Sequence, residues 1–120
     1  MTSPTQRSLA MLREWGWTCQ VVERWNQYAR CRVDLFGVID IVAIEPERSI
    51  IGVQTTTMSN ASSHRDKIAK SAEAREWVAG GGVLHLHLWR KIGKPARWKC
   101  RVEEWDGTEF YLAAKQQETT

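Results

Sequence analysis

Long hydrophobic runs, paired cysteines and a basic-then-apolar leader are all missing from this 120-residue chain. No apolar stretch approaches the roughly 18 residues a membrane span needs, and nothing at the start reads as a signal peptide, so a cytoplasmic protein is expected. Cysteine is scarce. Cys19, Cys31 and Cys100 are odd in number and widely spaced, with no C-x-x-C pair. That argues against a disulfide framework or a zinc knuckle and for reduced, mostly buried thiols. A phosphate-binding loop is absent too: Gly80-Gly81-Gly82 has no strand before it and no Gly-Lys-Ser/Thr after it, and reads as a helix stop. With no internal repeat, low-complexity tract or linker, residues 1–120 form a single domain with one sizeable core.

Apolar residues make up 42% of the chain and charged residues 26%, the balance of an ordinary globular protein. Seven tryptophans are many for this length; most belong in the core, but Trp89 and Trp98, flanked by Arg and Lys, could stack on bases or sugars. The net charge of +3 is unevenly spread. Residues 61–101 hold ten Lys or Arg against three acids, while acids gather at 34–47 and 103–109. A basic second half points to a polyanion, nucleic acid foremost, with a solvated charged face as the bland alternative.

Ser3-Pro4-Thr5-Gln6 has the pattern of a capping box, predicting a helix with Leu9, Leu12 and Trp15 on its buried stripe and a stop at Gly16. Residues 17–25 alternate like a strand, and the polar stretch 26–32 reads as a turn or loop. Val38–Ile44 is apolar on both faces except for Asp40, which predicts a central strand. Glu45-Pro46-Glu47-Arg48 makes a tight turn into a second strand over 50–56, paired with the first as a hairpin. A helix over 62–79, a strand over 83–89 with Leu84, Leu86 and Leu88 opposing His85 and His87, and a strand over 98–105 follow; residues 112–120 read as a frayed end. The order α-β-β-β-α-β-β describes a mixed-sheet α/β domain.

Asp40 and Gln54 are the two polar residues these apolar strands do not explain. A carboxylate set into such a strand loses hydration and needs a partner, a proton or a metal. A short turn joins the two strands, so both residues project at one sheet edge, and Thr56 shares the face of Gln54. Oxygen groups so placed are how a divalent cation is held.

Asp40-Ile-Val-Ala-Ile, a turn, and Ile51-Gly-Val-Gln54-Thr-Thr56 resemble the aspartate strand and the (E/Q)-x-K strand of the PD-(D/E)XK nuclease superfamily. The resemblance is to the branch that holds archaeal Holliday junction resolvases and phage-encoded relatives. It implies a restriction-endonuclease-like core of order α-β-β-β-α-β with a further C-terminal strand, and it spans about residues 5–90 in topology. It further implies Mg²⁺ or Mn²⁺ held by Asp40 and Gln54, with Glu14 in the place of an acid that some members bring from the first helix, a solvent-facing helix glutamate being its plain alternative. Asp34, six residues before Asp40, is by its position either a second candidate ligand or a loop residue. Thr56 departs from the pattern, standing where the family has its lysine. Lys67 or Arg65 on the next helix could supply that charge; otherwise the site binds without cutting.

The implied activity is metal-assisted hydrolysis of DNA phosphodiesters, with Asp40, Gln54, Thr56 and Lys67 at the reacting centre. Arg65, Lys67, Lys70, Arg90, Lys91, Lys99 and Arg101 would hold flanking phosphates. Junction-resolving relatives act as two-fold dimers, and Trp98, Trp105 or Phe110-Tyr111 could supply the surface. His85-Leu86-His87 offers two zinc ligands but no third, so a polar strand face is expected there, and His64 could contact a phosphate. Two other classes stay open: a DNA-binding or assembly module without catalysis, and an oligomerisation domain whose basic patch serves solubility.

Overall fold

Ser3 starts the first helix through its side chain: its Oγ accepts the Gln6 amide at 3.1 Å, and Pro4 fills the first helical position. The computed structural model of the chain describes residues 2–46 and 49–113. In chain order its elements are α1 (Pro4–Glu14), β1 (Thr18–Val21), β2 (Arg24–Asn26), β3 (Cys31–Val33), β4 (Ile41–Ile44), β5 (Ile50–Thr57), a 3₁₀ turn (Met58–Asn60), α2 (Ala61–Ala69), α3 (Ala72–Ala79), β6 (Val83–Ile92), β7 (Arg97–Trp105) and β8 (Phe110–Leu112). No helix among the described residues is long and apolar enough to cross a membrane.

Six strands form one mixed sheet in the order β1-β4-β5-β6-β7-β8. Only β5 and β6 run parallel, and the chain between them crosses over through α2 and α3, as a parallel neighbour requires. β5 and β6 are covered on both faces, which accounts for their apolar composition. On one face Leu9 and Leu12 of α1 pack with Trp17, Ile41, Ala43, Ile51 and Val53. On the other, Ile68 and Ala74 from α2 and α3 pack with Val38, Ile39, Leu84, Leu86 and Leu88. Gly52 makes that second packing possible: a Cβ there would stand 2.7 Å from Ile39 Cδ1.

Several local expectations are corrected. The strand over 17–25 is two, β1 in the large sheet and β2 in a separate two-stranded one. The helix over 62–79 is two helices, because Ser71 leaves the helical conformation and caps α3 by accepting the Ala74 amide. The strand expected over 38–44 begins only at Ile41. Leu35–Ile39 instead closes a tight turn through reciprocal backbone bonds, with Phe36 and Gly37 at positive φ. Within the polar stretch 26–32, residues 27–30 are the expected turn, but Asn26 ends β2 and Cys31 and Arg32 open a return strand, so the stretch belongs to a separate two-stranded hairpin, β2–β3. β8, three residues long, was not expected at all. Glu47 and Arg48 of the expected turn, and residues 114–120 of the frayed end expected over 112–120, lie outside the described residues; Leu112 closes β8 instead of fraying.

His85 and His87 do not line a polar surface. Both are buried under α1, where the Ser8 hydroxyl lies 2.8 Å from His87 Nδ1 and accepts the Trp89 indole N–H at 2.8 Å. Among the described residues neither histidine joins a three-membered group able to hold a metal. Trp89 is therefore unavailable for stacking, and Trp105 is core. All three cysteines are free, and Cys31 is exposed on β3 rather than buried.

Candidate active site

Asp40 sits one residue before β4, at the level of Gln54 on the neighbouring strand. The Ile41↔Val53 pairing sets that level, and the Asp40 amide donates to Val53 O at 2.8 Å. Its carboxylate is buried, and Oδ2 accepts the Thr55 amide at 2.8 Å and the Thr55 hydroxyl at 3.3 Å. Thr55 in turn shares a 2.8 Å hydrogen bond with Thr5 at the start of α1. The first helix thus buttresses the aspartate through a threonine pair.

Two more carboxylates converge on Asp40. Glu23, between β1 and β2, and Asp34, just after β3, bring one oxygen each to within 4.8 Å of one another and of Asp40. Burial foremost, then the hydrogen bond and negative charge of Asp34 and the charge of Glu23, push the Asp40 carboxyl up to about 8, against the single opposing Thr55 amide. Asp40 therefore holds a proton at neutral pH, which the cluster needs when no cation balances it. Three oxygen donors of this kind suit a hard divalent ion, which would displace that proton.

Glu23 was not among the expected ligands. Its place follows from strand register: β1 runs antiparallel to β4 with Val21↔Ile41, so the next two residues fold across Asp40, and the Val22 and Glu23 amides both donate to Asp40 O. An acid two residues past a strand that pairs with the aspartate strand is the signal that would have found it.

Gln54 is fully buried between these groups. Its amide nitrogen donates to Val38 O at 2.8 Å and to Asp34 Oδ2 at 3.2 Å, and its oxygen lies 3.0 Å from His64 Nδ1. The Val38 carbonyl fixes that orientation, because an amide turned the other way would set oxygen against oxygen. Gln54 thus positions Asp34 through N–H donation, while its oxygen, the expected ligand atom, faces His64. Burial, then the charge of Lys67, hold the His64 ring below its ordinary value.

Of the expected cations, Lys67 reaches the cluster, with Nζ 3.2 Å from Asp34 Oδ2. Arg65 turns the other way and, with Arg101, grips the buried Glu103 carboxylate at 2.7–2.8 Å. Lys70 pairs with Asp66 along α2. Thr56 is buried on the face of β5 that it shares with Gln54. Glu14 stands apart: Thr5 marks the end of α1 near Asp40, and Glu14 lies nine residues on, about 14 Å along the axis. There it borders a cavity of about 570 Å³ with Arg7 and Trp98. Arg90, Lys91 and Lys99 belong to a ribbon formed by β6 and β7 that extends past the end of β5, where Thr57 pairs with Trp89. The ribbon overhangs the same end of the sheet as the carboxylates.

No protein-family model matches this chain, and no match was found among curated proteins or solved structures.

Proposed function

We propose that the chain is a metal-dependent DNA endonuclease built on a restriction-endonuclease-like core. The observation that carries the reading is the cluster of Asp40, Asp34 and Glu23 at a sheet end, with Lys67 of α2 on Asp34. Element order supports it as well: α1, β1, β4, β5, α2 and β6 follow the α-β-β-β-α-β sequence of that fold, with the β2–β3 hairpin inserted after the first strand.

Asp40, Asp34 and Glu23 would hold Mg²⁺ or Mn²⁺, which supplies an acidic water and charge stabilisation at a phosphate. Thr55 and Thr5 hold the Asp40 carboxylate in place, and Gln54 does the same for Asp34. Lys67 offers the positive charge that Thr56 cannot, from a helix instead of from β5. The ribbon carries Arg90, Lys91, Lys94, Arg97 and Lys99 with no acid between, and would track the phosphates on either side of the cut. A four-way junction as substrate would call for a two-fold dimer, since symmetric cuts need two related sites.

A second reading, DNA binding without cleavage, rests on Thr56 in the lysine position and on the Gln54 oxygen being engaged by His64. One experiment separates the two. Supercoiled plasmid and a labelled four-way junction are incubated with the protein in Mg²⁺, Mn²⁺ or EDTA, with Asp40→Ala alongside. Cleavage that requires the ion and disappears in the variant supports the nuclease. Salt-sensitive binding by both proteins without cleavage supports the binding module, and no binding at low salt removes both.

A further inference from the structure

The β2–β3 hairpin belongs to neither core, yet both its ends are tied to the carboxylate cluster. Glu23 immediately precedes β2 and Asp34 immediately follows β3. Between them, all ten residues from Arg24 to Val33 are exposed. Burial gives no reason for what those residues are: Trp25 is 60% exposed and Tyr28 at the tip 90%. The segment carries Arg24, Arg30 and Arg32 and no acid. The tip is nonetheless well defined. Asn26 Oδ1 accepts the amides of Tyr28 and Ala29, and Arg30 takes the left-handed conformation that returns the chain into β3. An open cleft of about 340 Å³ lies along Arg24, Trp25, Asn26, Gln27, Tyr28 and Val33.

Large aromatics left in water beside guanidiniums that meet no acid among the described residues suit one occupant best. Bases offer π-faces to the rings while their phosphates meet the arginines, but only where the bases are unstacked from a partner strand. A continuous duplex stacks those faces against one another and shows only base edges in its grooves. At about 3.3 Å per residue, Trp25 stands roughly 7 Å from Glu23 and the tip about 15 Å, the length of some four stacked base steps.

We propose that the β2–β3 hairpin binds single-stranded DNA at a branch or fork through Trp25, Tyr28 and the three arginines, setting the unpaired strand beside the carboxylate cluster. This rests on the nuclease reading for its substrate class, but its test does not need cleavage.

Binding is measured by fluorescence anisotropy in EDTA for a labelled single strand, a forked duplex and a blunt duplex of equal length, with a single-stranded RNA as a further arm. The proteins are the full chain, Trp25→Ala/Tyr28→Ala, Arg24→Gln/Arg30→Gln/Arg32→Gln and Asp40→Asn. The hairpin packs on neither core, so circular dichroism should show the variants folded. The expected result is about tenfold weaker binding of single strand and fork by the aromatic variant, with the blunt duplex within twofold of the parent. The arginine variant should lose affinity for all three DNAs and show a shallower salt dependence, while Asp40→Asn keeps the preference for forks. Unchanged binding of every DNA by the aromatic variant overturns the proposal and leaves cleavage by the parent untouched. Equal loss on duplex and single strand also overturns it. So does a shift from dimer to monomer in gel filtration without any change in DNA affinity, which would assign the hairpin to a second copy of the chain. Tighter binding of RNA than of DNA would overturn the choice of DNA.

Discussion

Replacing Asp40 by asparagine should make the metal-free protein more stable at pH 8, not less. The carboxyl is pushed from 3.8 to about 8 by burial first, then by Asp34 and Glu23. Its folded value lies above its unfolded one, so the folded chain keeps a proton that the unfolded chain has already released. Stability is therefore full below about pH 4, falls as pH rises toward 8, and levels off above. At about 1.4 kcal/mol per pH unit, the loss between pH 4 and pH 7 is on the order of 4 kcal/mol. Asparagine keeps both contacts of the protonated acid: its oxygen can accept the Thr55 amide, and its nitrogen can donate to Asp34. It does so without titrating.

Allowing for relaxation around the site, Asp40→Asn should gain about 2–4 kcal/mol at pH 8 in EDTA, or roughly 4 °C in Tm for each kcal/mol at this chain length. Calorimetry from pH 4.5 to 8.5 should show the two proteins converging at the acid end. At pH 8, Mg²⁺ or Mn²⁺ should stabilise the parent by about 2.7 kcal/mol when the ion is at a hundredfold its Kd, raising its Tm, and leave the variant nearly unmoved. A variant less stable than its parent at pH 8 in EDTA would refute the reasoning. Asp40 would then be an ionised structural residue satisfied by Thr55, and the cluster would have no unmet demand for a cation.

His87 acts in the opposite direction: burial foremost, with the charge of His85, holds it down to about 3, so its stability is present above pH 6.5 and is lost as pH falls toward 3. About 2 kcal/mol should be gone by pH 5, and His87→Gln should flatten that acid limb in urea midpoints taken at pH 5 and 7. Glu103→Gln leaves the half-exposed Arg65 and Arg101 without their shared carboxylate, and after screening by solvent should cost about 1 kcal/mol, less at high salt. Gly52→Ala drives a methyl against Ile39 Cδ1 and Trp77, costing about 1–3 kcal/mol in thermal melts, and adding Ile39→Val should recover part of it by removing the clashing methyl. Lys91→Gln with Lys99→Gln on the ribbon should lower the slope of log Kd against log salt by about two, uniformly across DNA sequences.

Periodicity carried the elements whose faces are buried. α1 ends just before Gly16, which takes a positive φ, and β5, β6 and β7 fall within a few residues of their expected bounds, because β5 and most of β6 are packed on both faces and β7 alternates along its length. Where packing does not decide, the pattern failed. The β2–β3 hairpin is exposed throughout and leaves no apolar alternation to read, so its return strand passed for a loop. His85 and His87 looked like the polar side of a strand because burial of a histidine depends on a partner far away in sequence, here Glu104 on β7 for His85 and Ser8 on α1 for His87. The break between α2 and α3 was legible in retrospect: Ser71 has Ala74 three residues on and caps as a serine does.

In the site, Asp40 and Gln54 stood out because strands of their composition give polar groups no other reason to be present. The companions of Asp40 were harder to find, since nothing local marks them. Glu23 and Asp34 flank a ten-residue excursion, and only the closure of that hairpin brings its two ends together at Asp40. Helix geometry decides which of the two candidate cations, Arg65 or Lys67, meets the carboxylates. Residues two apart on a helix point about 200° away from each other, so α2 cannot present Arg65 and Lys67 to one site. Residues three apart share a face, and His64 on Gln54 fixes which face of α2 meets the carboxylates. Lys67 follows it onto Asp34, and Arg65 is carried to Glu103 on β7. Lys67→Met should therefore impair any cleavage far more than Arg65→Met, whose cost should fall on stability. Equal loss of cleavage in both, with equal melting temperatures, would mean that α2 meets the DNA as a general basic face and that no single lysine serves the cluster.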